Sequence, residues 1–382
     1  MPGHDVSIRG EGPVGRALAL ALARQGLRVA LVGPGPAAGA VAPAGPDVRT
    51  YALNAASVAL LRGLKVWDAL PADARCAVHE MRIHGDAPGA VLYFSAWEQA
   101  VAELAWIVDA AELDAALATA VRFAPHVERL EGEPQAPLRV LAEGKDSAGR
   151  AALGVEVSSH AYGHSGVAAR LEGDLPHAGV AHQWFRSPEV LALLPFDRPA
   201  AGRSWGLVWS VPAARAAELL ALDDAAFEQA LAEATQGAAG ALRLRSARAA
   251  WPLRLSQSAP VCGPGWALVG DAAHVVHPLA GQGLNLGLAD VAALAGVIGA
   301  REPWRGLGDE KLLRRYARER RGATQAMAGL TDALWHLFAA PDPALRLLRN
   351  QGLALLDRLG PVKKALAARA LGSVGASPGP QA

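Results

Sequence analysis

Cysteine is nearly absent. Only Cys76 and Cys262 occur in 382 residues, and they lie far apart in the chain. That excludes a disulfide scaffold, argues against a cysteine-based metal site, and fits a reducing compartment. Charge of one sign is missing too: the formal net charge is +1, so no electrostatic case for nucleic acid arises. Lysine is scarce beside abundant alanine and glycine, which is compositional bias more than chemistry. No uninterrupted apolar run approaches the ~18–20 residues that span a bilayer. Asp5, Arg9 and Glu11 interrupt the apolar start a signal peptide would need. The expectation is a cytoplasmic protein, at most peripheral to a membrane. No repeat, Ser/His/Asp triad or metal-ligand constellation stands out. The length suits two or three structural units, or one large α/β enzyme.

What is present centres on residues 267–290, ALVGDAAHVVHPLAGQGLNLGLAD. Ala267 to Val269 read as a short buried strand, ended by Gly270 and Asp271. A loop with Pro278, Gly281, Gln282, Gly283 and Asn285 follows, and helical spacing begins near Leu286. Strand, glycine loop and helix together can hold an anion or a polar cofactor. Glycines admit close approach of backbone N–H groups, and a helix start adds partial positive charge. A carboxylate at the strand end, here Asp271, can accept hydrogen bonds from sugar hydroxyls. A tight buried turn without a ligand would also use Gly and Pro.

Residues 6–33, VSIRGEGPVGRALALALARQGLRVALVG, form a second unit. A short strand, interrupted by Arg9, meets Gly10-x-Gly12-x-x-Gly15; Ala17 to Arg24 favour a helix, Gly26 fits its C-cap, and Val29 to Val32 make another strand. In such a βαβ unit the first glycine permits the turn, the second admits a pyrophosphate and the third lets helix and strand pack closely. The acid that should end the second strand and hold a ribose is missing, because Gly33 stands there.

Residues 34–46 read as a Pro/Gly/Ala-rich loop leading to Arg49 and a helical pattern from Ala56 to Leu64. A guanidinium at Arg49 either clamps a phosphate or is a solvated surface group. Residues 81–96 suggest a hairpin, 105–121 a strand passing into a helix, and 122–150 an irregular stretch. Residues 151–213 alternate like antiparallel strands, 214–234 suggest a helix pair, and the chain is helical from Glu310 to Leu371. His177 either takes part in chemistry or fills a structural place. Arg314, Arg315, Arg318, Arg320 and Arg321 either meet anionic lipid or form a solvated face. The tail after Val374 reads as disordered.

Gly270-Asp271-Ala272-Ala273-His274, Pro278, Gly281-Gln282-Gly283, Asn285, Gly287 and Asp290 resemble the second FAD fingerprint of the flavoprotein aromatic hydroxylases. The form His277-Pro278-Leu279-Ala280-Gly281-Gln282-Gly283-Leu284-Asn285-Leu286-Gly287 resembles the ubiquinone-biosynthesis branch. The resemblance runs from Asp5 to Gly372. Asp47-x-Arg49-x-x-Ala52-Leu53 is similar to the segment whose arginine contacts the flavin cofactor in that family, which assigns this role to Arg49. Besides Gly33, two further positions depart from the family pattern. Ala110 replaces a polar contact to the cofactor. Glu143 replaces Asp in the turn Glu143-Gly144-x-x-Ser147-x-x-Arg150, which the family places near the reduced nicotinamide, and the longer side chain is expected to fit that turn poorly.

The fold this resemblance implies is α/β: a Rossmann-like FAD-binding domain, an interleaved mixed β-sheet substrate domain and a C-terminal helical region. The expected division is FAD-binding at 1–75, 105–155 and 259–305, substrate sheet at 76–104 and 156–258, and helices and tail at 306–382. The implied activity is FAD-dependent monooxygenation of an aromatic ring, most like a polyprenylated phenol in ubiquinone biosynthesis. NAD(P)H would reduce FAD, O2 would give a C4a-hydroperoxyflavin, and the protein would position the ring and exclude water. The implied cofactor-binding residues are Gly10, Gly12, Gly15, Arg49, Asp271, Pro278, Gly281, Gly283 and Asn285. Chemistry resides on the flavin, with His277 and Pro278 the nearest catalytic candidates, His274 close by and no metal. Expected partners are the prenylated substrate, O2, a ubiquinone-biosynthesis complex and a membrane surface. Two other readings stay open: a flavoprotein reductase that does not hydroxylate, and a non-catalytic or FAD-weak component of that complex. The losses at Gly33 and Ala110 and the change at Glu143 favour the second.

Overall fold

A computed structural model describes residues 3–33, 47–85, 91–276 and 282–339. His277, Pro278 and Gly281, the loop at 34–46 and the tail beyond residue 339 lie outside the described residues. So do the side chains of the apolar stripe Met327, Leu330, Leu334 and Leu337 on the last helix.

The chain opens with β1 (Val6–Arg9), α1 (Pro13–Ala23) and β2 (Val29–Val32). Pro13 stands at the start of α1, where its missing N–H costs nothing. The Ala/Leu run that follows is buried from Ala17 to Ala23, so α1 lies in the core rather than on it. After β3 (Thr50–Leu53) and α2 (Ala55–Gly63) come β4 (Arg75–Val78), β5 (Glu80–His84), β6 (Val91–Ser95), α3 (Ala96–Gln99), β7 (Ala105–Asp109) and α4 (Ala110–Phe123). β5 and β6 pair antiparallel, as the hairpin reading expected.

The stretch read as irregular contains β8 (Val127–Leu130), β9 (Leu138–Leu141) and α5 (Ala148–Ala152). That reading is corrected: Leu138, Val140 and Leu141 are fully buried, and β9 lies between β1 and the later strand β17. A four-residue apolar run between polar turns carries too little periodicity to announce itself. The long β10 (Glu156–Gly173), β11 (Val180–Arg186), β12 (Glu189–Phe196) and β13 (Ser204–Pro212) follow, then α6 (Ala213–Ala221) and α7 (Asp224–Thr235). β14 (Leu242–Leu244), β15 (Ala249–Ala259), β16 (Cys262–Gly263), β17 (Trp266–Leu268), β18 (His274–Val275), α8 (Gln282–Gly299) and α9 (Glu310–Ala339) complete the described chain.

Three sheets result. The first runs β16-β17-β9-β1-β2-β8, and its pairings are parallel except between β16 and β17. It draws on three separated stretches of sequence, and its core is closed by α1, α4 and α8. The second, nine-stranded, runs β18-β15-β10-β13-β12-β11-β5-β6 with β14 beside β10, and is mixed because β11 pairs β5 parallel. A small third sheet, β3-β7-β4, links them.

The strand period of two sorts the large sheet's side chains. Leu171, Trp184, Leu193, Trp205, Leu207 and Trp209 join one apolar cluster with α6 and α7. The opposite face carries Ala181, Leu194 and Phe196 against β4 and β7, and a Cβ on Gly206 would meet Thr50 Oγ1 of β3 at 2.8 Å. That face is turned toward the parallel-sheet unit.

Candidate functional site

Three turns far apart in sequence meet at one end of the parallel sheet. Gly10, at φ 116°, ends β1; a Cβ there would lie 2.2 Å from the Ala142 carbonyl oxygen, so only glycine lets this turn lie against the strand end of β9. A Cβ on Gly15 would lie 1.9 Å from the Gly10 carbonyl oxygen. A Cβ on Gly12 would meet nothing within 4 Å, so this glycine faces open space. Gly12 also N-caps α1 without any side-chain cap bond, which leaves the first N–H groups of the helix directed at that space. A pyrophosphate fits such a cradle, and a side chain at position 12 would enter it.

The second turn begins at Gly270, at φ 61°, and carries Asp271. Val14 of α1 packs against it: a Cβ on Gly270 would meet Val14 Cγ1 at 3.3 Å, and one on Gly287 of α8 would meet Val14 Cγ2 at 2.6 Å. The two glycine motifs are therefore in contact. Asp271 is exposed, yet the surrounding protein raises its carboxyl pKa by desolvation, against the charges of His274, Lys145, Arg254 and Arg49. Open surface with a desolvating surround describes a carboxylate on the floor of a cleft.

Below Asp271 lies a buried charge network. Asp290 is fully buried on α8 and accepts from the Gly270 N–H at 2.8 Å and from Arg320 Nε at 2.6 Å. His274 Nε2 lies 2.7 Å from Asp290 Oδ2, the same oxygen that accepts the Gly270 N–H. Burial opposes the charge on both members, but each outweighs it for the other: the His274 pKa is raised and the Asp290 pKa is lowered. His274 is thus a buried strut under the turn, paired with Asp290.

The third turn, Glu143 to Arg150, corrects the expectation of a poor fit. Glu143 Oε2 accepts from Ser147 Oγ at 2.6 Å and from the Gly149 N–H at 2.9 Å, and Oε1 pairs with Arg9 at 2.9 Å. The longer side chain is accommodated because Gly149 makes room; a Cβ there would lie 2.6 Å from Glu143 Oε2. Arg9, which read as an interruption of a strand, is the counter-charge. Arg150 is buried and donates to the carbonyls of Ala272, at 3.0 Å, and Lys145, at 2.9 Å, locking this turn onto the Asp271 turn.

Arg49 lies beside the same space on the segment before β3. Asp47 grips it with Nε–Oδ1 at 2.9 Å and a second bond to Oδ2 at 2.7 Å, and this hydrogen-bonded pairing raises the guanidinium pKa further. Half of the Arg49 side chain stays exposed, and its guanidinium sits 5.7 Å from the Trp251 ring centre. Ala110, the absent polar contact, is buried, and its N–H donates to the Arg49 carbonyl at 3.2 Å. Arg170 reaches that carbonyl as well, at 2.7 Å, and pairs with Asp109 at 3.1 Å. Sequence reasoning did not single it out; one arginine amid apolar strand residues was the available signal.

The helical spacing begins earlier than expected: α8 starts at Gln282, so Gly283 and Asn285 are in its first turn rather than in the loop. Among the described residues, nothing lies within 4 Å of a Cβ placed on Gly283. The Asn285 side chain is buried among protein groups: Oδ1 accepts from the Asn54 N–H at 3.0 Å and Ser57 Oγ at 2.7 Å, and Nδ2 donates to the Ala52 carbonyl at 2.7 Å. It ties α8 to the segment that carries Arg49.

His177 belongs to a hydrogen-bonded corner. Its Nδ1 accepts from the Gly179 N–H at 3.1 Å, so Nε2 carries the proton and faces the Phe196 carbonyl at 3.1 Å. Cys76 and Asp197 bring further ligand-type atoms within 4.8 Å. Asp197 accepts from the Gly202 N–H at 2.7 Å, and burial pushes the Cys76 thiol up to about 12. Of the arginine cluster on α9, Arg320 is bound to Asp290, Arg314 to Glu310 and Arg315 to Glu302. Arg320 is therefore taken into the interior, whereas Arg314 and Arg315 stay partly exposed in surface ion pairs.

Comparison with known proteins agrees with the geometry. A family model described as "FAD binding domain" matches residues 97–331. The chain is 33% identical over 391 residues to the 3-demethoxyubiquinol 3-hydroxylase of Escherichia coli, covering 96% of this chain and 98% of that one. It is 30% identical over 398 residues to the ubiquinone hydroxylase UbiL of Rhodospirillum rubrum, covering 98% and 91%. In fold it is similar to the crystal structure of the p-nitrophenol 4-monooxygenase PnpA of Pseudomonas putida, with a TM-score of 0.75 at 17% identity over 96% of this chain and 98% of that one.

Proposed function

The chain belongs to the FAD-dependent aromatic hydroxylases, in the branch of the ubiquinone-biosynthesis enzymes, and from that membership we propose that it hydroxylates the ring of a polyprenylated phenol. It is a flavoprotein monooxygenase that takes an aromatic substrate, O2 and NAD(P)H. The observation that carries the reading is the convergence of the Gly12 cradle, Arg49 and Asp271 on one space, with Val14 holding the two glycine motifs in contact. A group that had lost its ligand would have no reason to keep all three.

The residues divide the work by chemistry. Gly10 and Gly15 set the first turn, and Gly12 with the start of α1 receives the pyrophosphate. Arg49, aimed by Asp47, adds a fixed positive charge, and Asp271 accepts hydroxyls of the ribityl chain. Gly283 gives the ring edge access to the start of α8. Asn285 acts by holding that helix to the Arg49 segment. Pro278 and Gly281 along the flavin edge, and His277 with Pro278 as catalytic candidates, lie outside the described residues and are carried by the sequence resemblance alone. When bound, FAD supplies the oxygen-transfer chemistry itself. The face of the large sheet turned toward the parallel-sheet unit would orient the ring and exclude water.

No described helix is long and apolar enough to cross a membrane. Contact with a membrane surface, where a prenylated substrate resides, is part of the proposal. Exposed Trp97 on α3 supports it, because indole side chains favour the membrane interface. Membership of a ubiquinone-biosynthesis complex belongs to the same proposal and rests on the sequence resemblance alone.

The test is the visible spectrum of the purified protein, followed by incubation with a prenylated phenol, NAD(P)H and O2. A bound-flavin spectrum that Asp271→Ala loses, and one oxygen atom added to the ring, are expected. NAD(P)H consumption without oxygenated product would replace this reading by a reductase, and a colourless protein that ignores FAD would leave a non-catalytic component.

A further inference from the structure

The second strand of a dinucleotide-binding unit should end in an acid that accepts hydrogen bonds from the adenosine ribose, and here it ends in Gly33. The place is not empty of acid. Glu11, between the first two glycines of the turn, sends its carboxylate across to this strand end. Its Oε2 lies 3.8 Å, and its Cδ 3.9 Å, from the position a Cβ on Gly33 would take. That separation is comparable to the distance from a glutamate's own Cβ to its carboxylate oxygens. Among the described residues, no other heavy atom beyond the chain neighbours lies within 4 Å of that position.

The carboxylate is held there. Arg129 on β8, the strand next to β2, donates from Nε to Glu11 Oε1 at 2.6 Å and from NH2 to Oε2 at 2.8 Å. This fork lowers the Glu11 pKa, chiefly through the hydrogen bonds, so the group is ionised at neutral pH. An ionised carboxylate offers about four acceptor sites, and the fork uses two of them. Glu11 and Gly33 are reciprocal. A side chain at 33 would be directed at the Glu11 carboxylate, and an acid there would put two like charges side by side.

We infer that Glu11, anchored by Arg129, replaces the missing strand-end acid and accepts the 2′- and 3′-hydroxyls of the adenosine ribose of FAD. This rests on the flavoprotein assignment. It removes one of the grounds for reading the chain as FAD-weak, since the lost contact has moved by one turn rather than disappeared.

The test uses flavin fluorescence titrations of the flavin-depleted full-length protein with FAD, with an FAD analogue lacking both hydroxyls of the adenosine ribose, and with FMN. The wild type is expected to bind FAD about 10- to 100-fold tighter than the dideoxy analogue, the range of a charge-assisted hydrogen bond. Glu11→Gln is expected to lose most of this preference and to leave FMN affinity unchanged. Glu11→Ala combined with Gly33→Glu is expected to restore the preference, which a merely structural role for Glu11 would not do. Full discrimination in Glu11→Gln, or none in the wild type, overturns the inference while leaving the flavoprotein assignment intact. A wild type that binds no FAD overturns both.

Discussion

Arg320 Nε lies 2.6 Å from Asp290 Oδ1, so the long last helix is fastened to the buried foot of the Asp271 turn. The same arginine donates to the Leu286 carbonyl at 3.2 Å, and Tyr316, one turn earlier, donates to the Leu268 carbonyl at 2.8 Å. The C-terminal helix is therefore part of the cofactor frame. Arg320→Ala would leave a fully buried carboxylate with one partner fewer, and such losses cost about 3–5 kcal/mol. Chemical denaturation should show that loss together with weaker FAD retention. Unchanged stability in this variant would mean the contact contributes nothing.

The charge pair under the turn also sets a pH dependence. Free histidine titrates near ~6.5, and the folded value of His274 is raised above that. Its contribution is complete below about 6.5 and is lost as the pH rises through the folded value. Asp290, whose folded value is lowered, contributes above about 3.9 and loses its contribution as the pH falls through the folded value. Urea midpoints across neutral to alkaline pH should fall for the wild type and fall less steeply for His274→Gln. Parallel slopes in the two proteins would show that His274 is not linked to stability.

At the third turn, Gly149 should tolerate no side chain. Alanine there would bring Cβ to 2.6 Å from Glu143 Oε2 and 2.8 Å from Leu141 Cδ2, and overpacking of this kind costs about 1–3 kcal/mol. Shortening the acid with Glu143→Asp should recover part of the loss in a Gly149→Ala background. Thermal melts of the two variants check this, and a Gly149→Ala protein as stable as wild type would refute the packing account.

Glu143 shows where single-sequence reading ran out. Its chemistry was visible, but its fit depended on Arg9 and Gly149. Arg9 is more than a hundred residues away and read as a flaw in a strand. The βαβ unit and the Gly270–Asp271 turn were legible because their glycines and apolar runs are local signals. β9 was missed because a buried parallel strand of four residues has no alternation to detect. Asn285 was legible as important but not in its role, since its partners Ala52, Asn54 and Ser57 are brought to it only by the packing of α2 on α8. Likewise the arginines of α9 looked like one basic surface until folding gave three of them separate carboxylates.

The two cysteines should be inert in the folded protein. Cys76 is buried, and desolvation followed by the nearby Asp197 pushes its thiol up to about 12; burial raises Cys262 also. A thiol reacts as its thiolate, so labelling by a disulfide reagent at mildly alkaline pH should be slow in the native state. Both should react promptly on unfolding. Rapid native labelling at either position would show that the surrounding packing opens.

Asn285 supplies the last test, because its side chain joins two motifs without needing to touch a ligand. Asn285→Ala would strip the buried Ser57 hydroxyl and the Asn54 N–H of their shared acceptor and the Ala52 carbonyl of a donor. Unsatisfied buried groups cost about 1–3 kcal/mol each, and partial relaxation would keep the total near the lower end. Asn285→Asp separates the two halves of the role. It retains the acceptor for Asn54 and Ser57 but turns the donor to Ala52 into a second acceptor, placing a carboxylate oxygen against a carbonyl. The aspartate variant should therefore be at least as destabilised as the alanine variant, although it is nearly isosteric. FAD affinity should fall in both, since α8 and the Arg49 segment lose their common anchor. If FAD affinity fell sharply while stability held, Asn285 would instead act on the cofactor directly.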